Sequence, residues 1–384
     1  MSISPIDVIA CLGLVMVLVP SVLAVINMTR LGPAPTIEQS PESDVLVSCC
    51  IPARNEQENI RACIESLLDG DHRDVEVLVY DDQSTDETPG IIRTMAEEDS
   101  RVRKVETVEL PAGYNGKQHA CQRMGEQAAG EWILFTDADV RFEKGWLRRT
   151  LAFTSDRPGL GLVSAFPNEQ TGTVGEALLV PMIHVILLGY LPMGTMRRTT
   201  NPSASAGCGQ FLLARKQAWI ESGGHEAFRD SMHDGIRLPR SIRSRGWGTD
   251  LVDGTDLCRC RMYRGFAESF NGFAKNAWEG LGSIWILLLL SVIHLVGHLL
   301  PWFILAWCLL TWTWLPIAGT ASIAAIVIAY AMRIVLAIHY QQAVIGVVLH
   351  PVGVLVTTIV QWWSLALSCS GRRTWKGRVA GSAG

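Results

Sequence analysis

Hydrophobic and polar residues divide the chain into three regions of different character. Residues Ile6 to Asn27 form one apolar run, about the ~20 residues that a helix needs to cross a bilayer. From Arg30 to Gly280 polar and apolar residues are mixed as in a globular domain, whereas from Leu281 to Gly371 the only Lys, Arg, Asp or Glu is Arg333. This pattern predicts a membrane anchor, a globular domain and a set of membrane-embedded helices.

A cleaved signal peptide is the alternative interpretation of the first apolar run, but its features are missing. No Lys or Arg precedes the run, Asp7 opens it, and the AVINMTR sequence at its end is a poor cleavage site. Arg30 follows directly, which favours a cytoplasmic location for the domain that comes next. We therefore expect residues 1–30 to be an uncleaved transmembrane anchor and residues 31–44, which contain three prolines, to be a linker.

Strand and helix patterns alternate after the linker. Short runs that are apolar on both faces, typical of buried parallel strands, are separated by amphipathic stretches. The predicted strands are Val45–Ile51, Val75–Tyr80, Val102–Val105, Trp132–Thr136 and Leu160–Ala165. The predicted helices are one capped by Asn55, one over Thr88–Glu98 and one over Lys117–Ala129. This alternation predicts an α/β fold with a mostly parallel sheet.

Three apolar segments after Gly280 are long enough to cross a membrane: Ile284–Leu310, Leu315–Ile338 and Ala343–Ser368. One anchor before the domain and three spans after it would place the tail, residues 371–384, outside the cell. Basic tails favour the cytoplasm, so the two rules conflict. Pro301 inside the first segment raises the alternative that this segment is a re-entrant hairpin or two short passes.

Two other segments are predicted to lie at the membrane surface. Residues 261–283 alternate aromatic and cationic side chains as an interfacial amphipathic helix does, and they precede the transmembrane region, residues 284–370. Glu176–Met193 is apolar but contains two prolines, which favours an interfacial or lipid-facing helix over a full span. His294 and His298 are spaced i, i+4 on a membrane helix, and without a third ligand a packing pair is favoured over a metal site.

Composition narrows the class of protein only modestly. Thirty-three basic and 37 acidic residues give a net charge of −4, which argues against a general nucleic-acid binder. The ten cysteines include no CxxC pair, so a structural zinc site is not expected and a reducing compartment is favoured.

Polar clusters follow three of the predicted strands at the point where each strand ends. Pro52–Glu56 follows the first, Asp81–Asp86 the second, and Asp137-Ala138-Asp139 the fourth. Each cluster alone is compatible with ordinary turn chemistry, but ligands of parallel sheets bind at this edge. Asp137 and Asp139 can address one ligand together, and Mg²⁺ is typically held by one or two carboxylates plus substrate phosphates. Such a cation neutralises charge on a departing diphosphate.

Four segments, IPARNEQENI, VYDDQSTDET, GKQHA and FTDADV, resemble in order and spacing the family 2 glycosyltransferases, which have a GT-A fold with a Rossmann-like nucleotide-binding half. The resemblance covers about residues 45–260. The arrangement of apolar segments is similar to that of bacterial enzymes that glycosylate carotenoid-type terpenoid acids and of a hopanoid-associated group.

The resemblance also implies roles for individual residues. Pro52, Ala53 and Glu56 would line the nucleotide pocket, Asp82 with Asp81 would contact the base or ribose, Lys117 would lie near the nucleotide, and Asp137 and Asp139 would form the DxD motif that holds Mg²⁺ or Mn²⁺ on the sugar diphosphate.

The second half of such a domain supplies the acceptor site and a catalytic carboxylate in a Glu-Asp pair. Here His233 replaces the Glu and Asp234 remains, so Asp234 is the candidate general base, with Asp230 as its rival. The small-residue stretch Ala206–Phe211 either lies under the sugar and acceptor or is a closely packed strand. Processive synthases carry Gln-x-x-Arg-Trp where this chain has Arg245-Gly246-Trp247, and the incomplete motif favours transfer of a single sugar.

These features predict an inverting, metal-dependent transfer of one sugar from a nucleotide-sugar donor, UDP-linked, to a membrane lipid of isoprenoid, hopanoid or polyprenyl-phosphate type. The protein is expected to be a multi-pass protein of the inner membrane with its catalytic domain in the cytoplasm. A processive polysaccharide synthase is the alternative within the class. A nucleotidyltransferase, and a transport or sensing protein that merely binds a nucleotide, are the alternatives outside it.

Overall fold

The structure is a computed structural model that describes residues 3–70, 74–372, 374–375 and 378–379, the last two pairs by their backbone alone. The chain divides into two compact units. The helical unit comprises Met1–Arg30, Thr171–Leu191 and Tyr263–Ser370, and the α/β unit comprises Leu31–Gln170, Pro192–Met262 and Gly371–Gly384.

Helices are numbered along the chain. Those of the α/β unit are α2 (Ile60–Leu68), α3 (Thr88–Glu98), α4 (Gly116–Gln127), α5 (Trp146–Ser155), α8 (Met193–Arg198), α9 (Lys216–Glu221) and α10 (Asp234–Ser244). Those of the helical unit are α1 (Pro5–Arg30), α6 (Val174–Leu179), α7 (Met182–Tyr190), α11 (Phe266–Ala274), α12 (Ala277–Leu281), α13 (Ile284–Val292), α14 (Leu300–Thr311), α15 (Pro316–His339), α16 (Val344–Val348) and α17 (His350–Cys369). A π-helical turn, Ile293–Leu299, joins α13 to α14.

Eight strands form the sheet of the α/β unit. They are β1 (Val47–Ala53), β2 (Val75–Asp81), β3 (Val102–Val105), β4 (Trp132–Phe135), β5 (Val140–Phe142), β6 (Leu160–Glu169), β7 (Leu212–Arg215) and β8 (Gly248–Cys260), in the order β3-β2-β1-β4-β7-β6-β8-β5. The first four strands in this order are mutually parallel. β7 is antiparallel to both neighbours, β8 is parallel to β6, and β5 is antiparallel to β8. The predicted α/β class is confirmed, with one parallel half and one mixed half.

Burial on both faces explains why the parallel strands read as continuous apolar runs. All seven residues of β1 are buried. Cys49 and Ile51 pack into the core on one side of the sheet, and Cys50 packs with α4 residues on the other. A half-buried strand would alternate apolar with polar residues instead.

The predicted cap at Asn55 is wrong, because α2 begins only at Ile60. Asn55 has a left-handed backbone with φ of 54° and lies in the loop after β1. Its amide donates to Ser84 Oγ (2.9 Å), and its side-chain oxygen accepts from the amide of Thr85 (2.8 Å). Asn55 therefore ties the loop after β1 to the loop after β2.

Among the described residues, four helical segments are long and apolar enough to cross a membrane: Pro5–Arg30, Ile284–Thr311, Pro316–His339 and His350–Cys369. α1 and α15 run in the same direction, since Asp7 near the start of α1 accepts from the amide of Ala318 near the start of α15 (3.0 Å). α13 and α14 run the opposite way along α1, since Ala10 packs with Ile304 and Cys308.

The segment from Ile284 to Thr311 is a single helix, so the predicted hairpin or double pass at Pro301 is wrong. Pro301 stands in the first turn of α14, just after the π-helical turn. Membrane helices tolerate an interior proline where a local π-helical adjustment re-satisfies the backbone groups that it leaves unpaired, and the turn just before Pro301 has that geometry.

α17 starts halfway along its neighbours. His350, its first residue, lies beside His298, with ring centroids 5.3 Å apart. His298 is fourteen residues after Ile284, about 21 Å along the helix. Further along α17, Trp362 donates to Ser291 and Ser364 accepts from the amide of Trp278, so α17 runs antiparallel to α13. Together α16 and α17 enter the helical unit at its His339 end and leave it at that same end.

The shorter segments also have defined places. Residues of the predicted surface segment form α11 and α12, and the apolar run at 176–193 is divided into α6 and α7, each too short to cross a bilayer. In the tail, Thr374–Trp375 and Arg378–Val379 pair as a short antiparallel ladder, β9 and β10. The remainder of the predicted basic tail after Arg372 lies outside the described residues.

Candidate active site

The carboxyl ends of β1, β2 and β4 bring the predicted nucleotide-binding residues to one edge of the sheet. Ala53 pairs with Asp81, and its carbonyl accepts from the amide of Asp82 (2.8 Å). Pro52 pairs with Tyr80 in the same register. The amide of Thr136, directly before Asp137, donates to the carbonyl of Cys50 (3.1 Å). The clusters that follow three strands in the sequence are therefore neighbours in the fold.

Lys117 joins two of the predicted site carboxylates. Its Nζ lies 2.6 Å from Asp137 Oδ1 and 2.9 Å from Asp234 Oδ2. The three residues come from α4, from the end of β4 and from the first turn of α10. We call this contact the Asp-Lys-Asp triad.

Local hydrogen bonds place Lys117 at the start of its helix. Asn115 caps α4, since its side chain accepts from the amide of Lys117 (2.9 Å). The backbone amide of Asn115 donates to the carbonyl of Arg229 (2.7 Å), and Gln118 Nε2 donates to the carbonyl of Ser231 (3.2 Å). The segment that leads into Asp234 is thus held against the first turn of α4.

The triad sets the protonation states of its members. Burial alone would lower the pKa of Lys117, but the Asp137 and Asp234 carboxylates hold the pKa of its ammonium well above the ordinary value. Burial alone would raise the pKa of Asp234, but the adjacent ammonium of Lys117 holds that pKa below its ordinary value. The triad is therefore one ammonium between two carboxylates.

Asp139 has a different environment, although it is only two residues from Asp137. Its Oδ1 is buried without a hydrogen-bond partner. Burial, together with the carboxylates of Asp137 and Glu56, raises the pKa of Asp139 to about 7, against a contact with the Cys260 thiol that lowers it. An oxygen without a donor, in a site of excess negative charge, fits a position for a cation.

The donor set also fits a divalent cation that binds together with its substrate. Asp137 and Asp139 supply carboxylate oxygens, the ligands that Mg²⁺ and Mn²⁺ prefer. No group of three or more His, Cys, Asp or Glu side chains suited to a metal occurs in the described part of the chain. Two carboxylates alone match the pattern in which substrate phosphates complete the coordination of Mg²⁺.

The remaining predicted residues of the nucleotide side have individual partners. Asp82 is buried and lies 3.7 Å from Arg54, whose guanidinium also donates to the Asp82 carbonyl. Asp81 accepts from the amide of Ser84 (3.2 Å), so its carboxylate organises the loop after β2. The carboxylate of Glu56 accepts from Asn59 Nδ2 (2.9 Å). Arg54 and Asn59 were not predicted as site residues, because no feature of the sequence distinguishes them from the other polar residues of their loop.

The small-residue stretch Ala206–Phe211 lies against Asp234. This contact helps to decide between the two interpretations of the stretch that the sequence allowed. A Cβ placed on Gly209 would lie 2.5 Å from Asp234 Oδ1, so only glycine leaves room for this carboxylate. Beside it, Cys208 donates to Gln210 Oε1 (3.2 Å) and Gln210 donates to Cys260 Sγ (2.9 Å). The stretch therefore forms a polar wall of the site and is not simply a closely packed strand.

Glu169 is a further acidic residue in this wall that the sequence analysis missed. It ends β6, pairs in register with Cys260, and both of its carboxylate oxygens are buried without a hydrogen-bond partner. Burial, and then the charges of Asp139 and Asp137, raise the pKa of Glu169 well above its usual range. The only sequence signal was an acidic residue at the end of a long apolar strand, and the prediction ended that strand four residues early.

Two rival features are not members of the triad. Asp230, the alternative to Asp234, is exposed. Trp247, in the place of the processive motif, lies beyond the far end of α10 from Asp234, where its Nε1 donates to Glu221 Oε2 (2.7 Å). α10 has eleven residues, about 16 Å of helix, so neither Arg245 nor Trp247 is near the triad.

A parallel nucleotide-binding half, a carboxylate pair at its edge and a lysine beside that pair define a domain of the GT-A glycosyltransferase class. Residues 48–221 match the family model described as Glycosyl transferase family 2. The match confirms the resemblance predicted from the four sequence segments over this stretch, which is less than half of the chain.

Similar proteins have been characterised in bacteria and archaea. The chain is 28% identical over 236 residues to 4,4'-diaponeurosporenoate glycosyltransferase of Staphylococcus aureus, both strain USA300 and strain MRSA252, and this match spans 60% of each protein. The fold is similar to that of the mannosyltransferase PcManGT from Pyrobaculum calidifontis, solved in complex with GDP-Man and Mn²⁺. That similarity has a TM-score of 0.57 at 19% identity and covers 97% of this chain and 100% of the other.

Proposed function

We propose that this protein transfers a single sugar, with inversion, from a nucleotide sugar to a lipid acceptor in the membrane. The Asp-Lys-Asp triad carries the proposal. Lys117, Asp137 and Asp234 were each predicted for a different part of one reaction. They are distant in sequence, yet the Lys117 ammonium lies 2.6 Å from the Asp137 carboxylate and 2.9 Å from the Asp234 carboxylate.

The proposed reaction uses the two sides of the triad differently. On the donor side, Lys117 binds the diphosphate and stabilises charge on it as the bond from the anomeric carbon to the phosphate oxygen breaks. On the acceptor side, an acceptor oxygen forms the new bond to that carbon from the opposite face. If this oxygen is a hydroxyl, Asp234 accepts its proton, and the nucleoside diphosphate leaves.

Asp137 and Asp139 would hold Mg²⁺ or Mn²⁺, and the cation, when bound, supplies neutralising charge on the departing diphosphate. The low pKa of Asp234 makes this carboxylate a weak base as long as Lys117 is paired with it. An acceptor that arrives already ionised, such as a lipid carboxylate or phosphate, needs no proton removal, and this favours acceptors of that kind.

The lipid acceptor is supported by the sequence positions of the two units. Segments of the helical unit precede, interrupt and follow the α/β unit. The Staphylococcus aureus relatives are named for a diaponeurosporenoate, an isoprenoid acid. We propose UDP as the donor nucleotide, and the incomplete processive motif supports transfer of one sugar.

We also propose three membrane crossings, by α1, by Ile284–Thr311 and by α15, with α16 and α17 re-entrant. The catalytic domain that follows Arg30 and the tail that follows Cys369 then share the cytoplasmic side of the inner membrane. This arrangement removes the conflict between the basic tail and the number of apolar segments.

The test incubates membranes that contain the full chain with a panel of labelled nucleotide sugars and Mg²⁺ or Mn²⁺, and then extracts lipids. We expect label in one lipid fraction, carried as a single sugar, and its loss on chelation with EDTA. Asp139→Asn and Asp234→Asn should reduce labelling strongly, whereas Asp156→Asn, an exposed carboxylate after α5, serves as the matched control. Long-chain products would indicate a polymerase, and absence of lipid label with every donor would contradict the proposal.

A further inference from the structure

The helical unit contains a buried polar cluster that the proposed transfer reaction does not use. Its members are His298 in the π-helical turn, Arg333 on α15 and His350 at the start of α17, which we call the His-Arg cluster. They are 6%, 1% and 2% exposed. The sequence analysis expected His294 and His298 to be a packing pair. This pair is confirmed, since the ring centroids of His294 and His298 are 6.3 Å apart; in addition His294 bonds to Thr358 (2.8 Å) and His298 lies against His350.

Contacts connect the cluster across three helices. The ring centroids of His298 and His350 are 5.3 Å apart, and those of His350 and Tyr330 are 6.2 Å apart. Tyr330 precedes Arg333 by less than one turn of α15, and Arg333 interacts electrostatically with His350. The three side chains therefore face one region between α13–α14, α15 and α17.

Most polar atoms of the cluster have no partner. Nε and Nη2 of Arg333, both ring nitrogens of His350 and Nδ1 of His298 are buried without a hydrogen bond in the described part of the chain. Among the described residues, Nη1 of Arg333 donates to Oε1 of Gln342. Buried donors are rarely left unpaired in proteins, because each costs free energy comparable to a lost hydrogen bond.

The charge of Arg333 is also unbalanced. Residues Leu281 to Gly371 contain no Asp or Glu, and no ion pair to Arg333 occurs among the described residues. Asp7 and the buried Glu176, two acids elsewhere in the helical unit, have other partners. Asp7 accepts from Ala318, and Glu176 accepts from the amides of Gly172 and Gly265. An arginine at membrane depth with no counter-ion is expected to serve a ligand.

The local backbone supports a ligand at this place. The helix from Ile284 to Thr311 changes to π-helical geometry only over Ile293–Leu299, the turn that carries both histidines. Such turns are rare and frequently occur at functional sites. Gly346 packs between the carbonyl of Ala177 and the guanidinium, where a Cβ would lie 3.3 Å from Nη2 of Arg333, so the glycine lets α16 approach the arginine closely.

We propose that the His-Arg cluster binds the oxyanion of a membrane lipid, a carboxylate or phosphate headgroup, and recruits the acceptor of the transfer reaction. A guanidinium flanked by imidazoles supplies the donors that such an oxyanion accepts. The apolar outer surfaces of the surrounding helices suit a ligand that arrives from the bilayer. The role as acceptor site rests on the proposed function, whereas the binding of a lipid oxyanion does not.

The test measures binding to the purified full chain in detergent by its thermal shift. The probes are retinoic acid against retinol, and undecaprenyl phosphate against undecaprenol, pairs that differ only at the headgroup. We expect each anion to raise the unfolding temperature and to bind at least about tenfold more tightly than its alcohol. Arg333→Gln should abolish that preference, Arg333→Lys should keep part of it, and Ser291→Ala, a buried polar residue on α13 outside the cluster, should leave it unchanged.

Three outcomes would overturn the proposal: equal binding of anions and alcohols, an unaltered preference in Arg333→Gln, or equal competition by inorganic phosphate, which would indicate a site for soluble anions. The acid and alcohol comparison uses the unmodified protein, so it decides the matter even if Arg333→Gln does not fold. A nucleotide-sugar thermal shift on the same preparation separates the two proposals. If no nucleotide sugar shifts the unfolding temperature, the result counts against the proposed function. If anions and alcohols bind equally, the result counts against this inference.

Discussion

At the residue scale, the central feature is an ammonium group that stands between two carboxylates. Lys117 contacts Asp137, on the proposed donor side, and Asp234, on the proposed acceptor side. A diphosphate would compete with both carboxylates for the same ammonium. Donor binding is therefore expected to release Asp234 at the moment when an acceptor needs it.

Replacement of Lys117 by methionine tests this arrangement. We expect kcat/KM to fall about 100-fold, since a charged donor to the diphosphate is lost. The free energy of unfolding should also fall, by roughly 3 kcal/mol, because Asp234 is left buried and unpaired. The measurements are single-turnover transfer and thermal unfolding.

A double variant provides the control for this effect. Lys117→Met combined with Asp234→Asn should recover most of the lost stability and none of the activity, because the unpaired charge is gone but the diphosphate ligand is still missing. Equal stability of Lys117→Met and the unmodified protein would show that the triad does not form.

Glu169 gives a second prediction at this scale. A carboxyl group that is buried without hydrogen-bond partners destabilises the fold, so Glu169→Gln should raise the unfolding temperature by roughly 2–4 °C while lowering transfer. The folded-state pKa of Glu169 is raised, so its destabilising effect is absent below its ordinary pKa of 4.5 and grows as the pH rises above that value.

The gain in stability from Glu169→Gln should therefore be larger at pH 8 than at pH 5, as thermal unfolding at the two pH values will show. Glu143→Gln, on the surface beside Arg259, is the comparison variant. A variant that is both fully active and no more stable would mean that Glu169 is paired in solution.

At the element scale, the close approach of a loop to a helix positions the candidate base. Gly209 touches the carboxylate of Asp234, and Gly235 lies against the carbonyl of Gly207, where a Cβ would be 2.5 Å away. The first turn of α10 can approach the small-residue stretch only because both sides lack side chains there.

Gly209→Ala should therefore displace Asp234 without unfolding the domain. We expect transfer to fall about 100-fold, the scale of effect of a misplacement near 1 Å, with donor affinity nearly unchanged. Gly159→Ala is the matched control, since a Cβ there meets nothing within 4 Å. Unaltered turnover in Gly209→Ala would show that the position of Asp234 is not important for the reaction.

The elements also show how far the sequence could predict the structure. α3 and β3 have the predicted bounds, because each carries a regular apolar period between clear breaks. β5, β7 and β8 were missed, since strands of the mixed half of the sheet do not follow a regular βα alternation. Asn55 was misplaced because a cap and a loop tie use the same side-chain chemistry.

The candidate site was predictable to the extent that it lies at strand ends. Asp81, Asp82, Asp137 and Asp139 follow strands directly, so their convergence follows from sheet topology. The roles of Glu169 and Arg54 depend on the side chains that tertiary packing places next to them. Hydrophobic periodicity in the sequence does not predict those contacts. Lys117 was predicted only through the resemblance to a family.

At the scale of the whole molecule, the course of α16 and α17 makes a prediction about sidedness. Cys369 ends α17 and is exposed, and Cys11, the other exposed thiol among the described residues, lies within α1. A membrane-impermeant maleimide should label inverted vesicles at Cys369 and leave intact spheroplasts unlabelled. Thiols at membrane depth react poorly because the thiolate is disfavoured there.

Cys369→Ser should abolish this labelling, and it supplies the control. Labelling of intact spheroplasts would instead mean that α17 crosses the bilayer and that the tail is outside. The experiment therefore decides between three and four crossings without any engineered cysteine.

The half-depth start of α17 has a consequence for how the chain is made. A membrane-insertion machinery that reads hydrophobicity would recognise His350–Cys369 less strongly than the earlier segments, since its mean hydropathy of 1.6 compares with 2.1 to 2.8 for them. In the proposed three-crossing arrangement, its return to the starting side would depend on surfaces that α6, α13 and α15 provide only after they are in place. We therefore expect biogenesis of the helical unit to be ordered, with its last hairpin added to a scaffold that is already assembled.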